Sequence, residues 1–133
     1  MSSRILALAA LPLLAISCAP VERATDADPA AGAPAVTVVG EAQRCIMRHR
    51  IRQTLVRTDR VIDFEMQSGT VYRSTLPDRC PGLSLDQGII YETSINQLCS
   101  NQIVYSLENI GGVPRRGAGC SLGEFLPVEY AKE

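Results

Sequence analysis

The sequence predicts an all-β fold, a small antiparallel sandwich or barrel of about six strands set behind an N-terminal signal and a flexible tether. Three observations predict it. Short segments alternate apolar and polar residues with a period of two, glycines and prolines punctuate them, and no long segment keeps a helical period. The core must also be small. Of 133 residues only two are Phe, four are Tyr and none is Trp, so Ile, Leu and Val have to fill it, and a core of that size gains from covalent staples.

Residues 1–17 carry Arg4, then an apolar run from Ile5 to Ile16 interrupted by Pro12, then Ser17. The run is too short to span a bilayer, which takes about 20 apolar residues, and it reads as an export signal. Its end, Leu14-Ala15-Ile16-Ser17-Cys18, resembles the lipobox of bacterial lipoproteins, although Leu14 stands one place earlier than that pattern has it. The resemblance implies cleavage before Cys18, a diacylglyceryl group on its thiol, and a membrane partner engaged through that lipid. Two or more acyl chains anchor stably where one is marginal. Ala19 after the cysteine, in place of Asp, favours an outer-membrane destination facing the periplasm. Residues 18–40 hold three prolines, seven alanines and few large apolar side chains, and read as a tether. The folded domain is then expected over 41–133.

Within it, 45–56 alternates as one strand. Cys45, Met47, His49, Ile51, Gln53 and Leu55 would face the core, and Arg48, Arg50, Arg52 and Thr54 the solvent. Residues 57–60 make a turn, and 61–66 alternates again. Pairing Val56 with Val61 sets Ile51 opposite Met66 and Arg52 opposite Glu65. Ser68-Gly69 turns the chain into a strand over 71–76. Further strands are expected over 88–93, 102–107 and 124–128. Residues 94–98 allow one helical turn, and 111–117 reads as a glycine-rich loop.

Five cysteines are an odd number for an exported chain. Assigning Cys18 to lipid leaves Cys45, Cys80, Cys99 and Cys120 for two disulfides in an oxidising compartment. Three connectivities are open, and the favoured reading pairs Cys80 with Cys99 and Cys45 with Cys120, the first closing the loops around one short strand. A zinc site on the four thiols is disfavoured, because none stands in a close CxxC pair.

The blocks Cys45-Ile46, Tyr72-Arg73-x-x-Leu76-Pro77-x-x-Cys80-Pro81-Gly82-Leu83, Leu98-Cys99 and Cys120-x-Leu122-Gly123-x-Phe125-x-Pro127 resemble a family of small proteobacterial envelope proteins known only as a domain of unknown function. The resemblance covers 41–128. It implies a secreted, cysteine-containing β domain and brings no activity or catalytic residue.

The candidate chemistry is anionic recognition. Arg44, Arg48, Arg50, Arg52, Arg57 and Arg60 against Asp59 give this segment a net charge of +5. Arg48, Arg50 and Arg52 on one strand face would offer guanidinium forks to phosphate or carboxylate groups of an envelope component or envelope protein; the competing reading is a solvated face neutralised by Asp63 and Glu65. The chain's net charge of −1 and the lack of aromatics among the arginines argue against nucleic acid. His49, the single histidine, is read as a half-buried, hydrogen-bonded residue. No nucleophile elbow, phosphate loop, metal-ligand cluster or dinucleotide fingerprint occurs, so no cofactor is expected and binding is preferred to catalysis. A lysozyme-inhibitor-like role against an envelope hydrolase is the alternative, by analogy of architecture alone.

Overall fold

The computed structural model describes residues 28–132. The signal read over 1–17, Cys18, the residue expected to carry lipid, and the first part of the expected tether lie outside them.

The described chain is antiparallel β throughout, in ten strands rather than six: β1 Val36–Val38, β2 Cys45–Met47, β3 Ile51–Val56, β4 Val61–Met66, β5 Val71–Thr75, β6 Ile89–Ile90, β7 Gln97–Cys99, β8 Ile103–Ile110, β9 Val113–Ser121 and β10 Phe125–Tyr130. They form a five-stranded sheet in the order β1-β10-β5-β4-β3, a β2-β7 pair, and a three-stranded sheet β6-β8-β9.

One apolar core joins all three sheets. Val56, Ile62, Phe64, Met66 and Phe125 supply the face of the large sheet, Ile46 and Leu98 come from the β2-β7 pair, Val104 comes from β8, and Leu76, Leu83 and Leu122 close the gaps from connecting segments. Phe64 and Phe125 meet edge to face at 5.6 Å, a favourable arrangement of the two ring quadrupoles. Few aromatics suffice because both of the phenylalanines stand at this centre.

The β3–β4 hairpin keeps Ile51 opposite Met66, as the alternation requires, but a bulge after Ile51 shifts the rest by one residue, so Val56 pairs with Ile62 rather than Val61. The bulge swings Arg52 out to Glu65 at 2.7 Å. That pair is exposed and contributes little to stability.

The expected single strand over 45–56 is broken. Residues Arg48–Arg50 form a 3-10 turn, because three polar contacts hold them there. The amide of Arg48 donates to Asn96 O, Gln67 N donates to Arg50 O, and Gln67 Nε2 donates to His49 O. The break changes which side chains face inward: Ile46 is buried while Met47 and His49 are exposed.

Both disulfides form, with connectivity different from the favoured one. Cys45 joins Cys99, and Cys80 joins Cys120. Cys45 and Cys99 are directly opposite across β2 and β7, a pairing invisible while 94–98 is read as a helical turn. Structural disulfides belong to chains that fold in an oxidising compartment. No helix among the described residues is long and apolar enough to cross a membrane.

The segment read as the end of the tether is part of the fold. It starts beside Thr58–Arg60 at the β3–β4 turn, crosses the second face of the large sheet, where Pro34 O accepts from Arg73 Nη1 at 2.9 Å, and ends as β1 against β10. The folded unit therefore begins well before residue 41.

The glycine-rich stretch read as a loop is the edge strand β9. The turn ahead of it is a two-residue hairpin, with Gly111 and Gly112 at positive φ, as right-handed strand twist favours. Gly119 is needed for space: a Cβ there would meet the Tyr105 ring at 3.2 Å. Pro114 is tolerated because an edge strand can leave one side of its ladder unpaired.

Candidate functional site

The β2 strand leaves the large sheet at an angle and opens a cleft. Just before it, Gln43 still pairs with Phe125 of β10, each amide donating to the other's carbonyl at 2.8 Å. From Cys45 onward the chain pairs with β7 alone. Between β2 and the β4–β5 end of the large sheet lies a cleft of about 630 Å³. The thioethers of Met47 and Met66, the Tyr72 ring, Ile46 and Cys45 line it, with Gln43, Arg50, Gln67 and Ser68 as polar neighbours.

An apolar lining with a few convergent polar groups is the usual make-up of a ligand site, and methionines adapt to irregular occupants. Arg50 is the single formal charge in the lining. It is exposed and joins none of the five ion pairs formed among the described residues. The 3-10 turn positions it, since its carbonyl is held by Gln67 N. His49, beside it, is exposed rather than half-buried, and its Nδ1 lies 2.6 Å from Asn96 Nδ2.

The three arginines expected on one strand face do not share one. Arg48 and Arg50 sit in the turn, while Arg52 lies past the bulge on β3 and is committed to Glu65. Two more arginines of the segment are spent inside the fold. Arg60 donates to the carbonyls of Leu76 and Pro77, and Arg57 reaches Asp63.

Asp63 is the centre of the densest polar cluster, on the sheet face away from the core. It is fully buried and accepts from Arg73 Nε at 2.8 Å and Nη2 at 3.0 Å, from Arg57 Nε at 3.0 Å and from the Tyr130 hydroxyl at 2.9 Å. Burial pushes the Asp63 carboxyl upward, but the bonds from Arg73 and Arg57 outweigh it, and the group stays below the usual carboxylate range. Burial likewise raises Tyr130, with the Asp63 charge adding to it. Four donors converge on this buried carboxylate and Arg73 also reaches Pro34 O, so the cluster fastens the N-terminal crossing segment to the sheet. Among the described residues no group of His, Cys, Asp and Glu could hold a metal.

Of the residues singled out in sequence, the cleft gathers Arg50, Cys45, Ile46 and Tyr72. Met47 and Met66 are marked in the sequence only through strand alternation, Tyr72 only through a family-like block, and Gln67 through nothing; that they line one cleft appears only when β2 departs from the sheet. Compared with protein-family models, curated proteins and solved structures, the chain matches none.

Proposed function

We propose that the chain is a non-catalytic binding module of the bacterial cell envelope, anchored through lipid on Cys18, and that the Arg50 cleft takes an anionic ligand with an apolar body. The observation that carries this reading is a guanidinium paired with no carboxylate among the described residues in the lining of a cleft shared with Met47, Met66 and Tyr72. The lipobox-like end of the signal supports the anchor, and the two disulfides agree with export.

Geometry also suits the pairing of anchor and cleft. Ten residues connect Cys18 to Asp28, a reach of about 35 Å at most, and Asp28 lies beside the β3–β4 turn. The cleft is at the other end of that hairpin, roughly 20 Å away along six strand residues, a distance smaller than the reach of the tether. The hydrolase-inhibitor reading needs free carboxylates on protruding loops. Asp86 is engaged by the Asn109 amide and Glu92 by Arg116, which leaves Asp78, exposed between β5 and β6, as a loop carboxylate for that reading to use.

Dodecanoate, a carboxylate on an apolar chain, is a suitable probe. Titrated into the full chain, it binds, and Arg50→Ser weakens it by roughly 10-fold to 100-fold, the loss of one charge-assisted hydrogen-bonded contact of about 1.5–3 kcal/mol. Arg52→Ser, whose guanidinium already belongs to Glu65, leaves the affinity unchanged. Equal losses in the two variants would mean diffuse charge attraction and would contradict a site at Arg50.

A further inference from the structure

Antiparallel pairing alternates residues whose main chain bonds to the partner with residues whose main chain points away from it. Along β2, the Ser100 amide donates to Arg44 O and the Arg48 amide donates to Asn96 O. With Ile46 opposite Leu98, positions 44, 46 and 48 are the ones bonded to the β7 side. Cys45 and Met47 are the residues between. The 4.0 Å separation of the Cys45 and Cys99 Cα atoms agrees, since pairs without mutual hydrogen bonds approach more closely.

The amides and carbonyls of Cys45 and Met47 therefore point away from β7; the Met47 carbonyl is taken by the Arg48–Arg50 3-10 turn, whose first bond comes from the Arg50 amide, and the Cys45 amide and carbonyl and the Met47 amide pair with no other strand among the described residues. Both residues line the Arg50 cleft. Two amides, repeating at about 6.8 Å as in any extended strand, and the Cys45 carbonyl stand along its wall.

From this we infer that the ligand is an extended peptide segment of a partner protein, which adds to the free edge of β2 as an antiparallel or parallel strand and sets a carboxylate on Arg50. The inference rests on the cleft being a binding site and names what enters it. A fatty chain or a sugar phosphate has no repeat of donors and acceptors to match three main-chain groups, whereas an extended peptide does, and strand addition is a recurring mode of peptide recognition. Alternate side chains of the peptide would fall toward Met47, Met66 and Tyr72. The charge at the edge selects the ligand: Arg48 and Arg50 follow the free residues directly, with no carboxylate paired to either among the described residues. Exposed edges are normally blunted against unwanted pairing, and here two arginines admit acidic segments and repel basic ones.

The test is selection of random heptapeptides with free C-terminal carboxylates on the full chain held in detergent. Enriched peptides should carry apolar residues at alternate positions. N-methylation of the amides in one alternating phase should weaken the best of them at least 30-fold, the other phase should matter little, and Arg50→Ser or amidation of the carboxylate should weaken it about 10-fold. Failure to enrich any peptide, or equal effects of the two methylation phases, overturns strand addition. If dodecanoate still binds and depends on Arg50, the anionic cleft stands without a peptide ligand; if dodecanoate fails as well, both readings fall.

Discussion

Replacing Asp63 with Ala lowers the folding stability by about 3–5 kcal/mol, the range for stripping one partner from a buried ion pair. Arg73 is 5% exposed and would keep its charge with only Pro34 O as acceptor, while Arg57 and Tyr130 would lose their common partner. For a domain near 100 residues the melting temperature should fall by more than about 10 °C. The same group sets an acid limit. Its folded-state value lies below the unfolded one near 3.9, so its stabilisation is complete above that pH and disappears as pH falls through the folded value. Urea unfolding between pH 7 and pH 2 checks both parts, with Asp63→Asn as the shape-preserving control. The variant should be weaker at pH 7 and should have lost part of the wild-type acid slope; equal midpoints at pH 7 would show that the cluster does not hold the crossing segment.

Removing the Cys80–Cys120 bridge as the pair Cys80→Ala and Cys120→Ala should cost about 4 kcal/mol. Its two ends are 40 residues apart, and closing a loop of that length removes about this much unfolded-chain entropy in the loop-closure model. The bridge also sits in the core, with Cys80 fully buried among Leu76, Leu83 and Leu122. Denaturant midpoints of oxidised wild type and the double variant measure the cost. A difference under 1 kcal/mol would mean that packing alone fixes this segment. Proteolytic mapping of the oxidised chain should yield one linked pair containing Cys45 with Cys99 and one containing Cys80 with Cys120.

The strands that sequence revealed are those with one apolar face and strong β formers. Val61–Met66 and Val71–Thr75 lie where the alternation put them, and Ile51 meets Met66 because a slip by one residue would turn the apolar set to water. Alternation failed at 45–56 because Arg48, His49 and Arg50 fit a period of two by accident, while contacts from Gln67 and Asn96, distant in sequence, hold them in a turn. Asp63 looked like a solvated partner for neighbouring arginines. It is buried because a segment some thirty residues earlier crosses over it, and the Pro/Ala-rich composition of that segment gave no sign that it would pack. The strand β9 was hidden by its glycines, which make room for Tyr105, Ser106 and Glu108 instead of marking flexibility. Of the cleft, Arg50, Cys45, Ile46 and Tyr72 were each marked in sequence, but nothing there placed them together. The remainder depends on where β2 leaves the sheet, which is a property of the assembled fold.

Amide hydrogen exchange of the ligand-free full chain tests the central claim most directly, because the claim is that β2 keeps an open edge on the cleft. The Ile46 amide, opposite Leu98, should be protected, while the amides of Cys45 and Met47 on either side should exchange orders of magnitude faster. Equal protection at all three positions would mean that the edge is already paired, and the cleft would then have no main chain to offer a ligand.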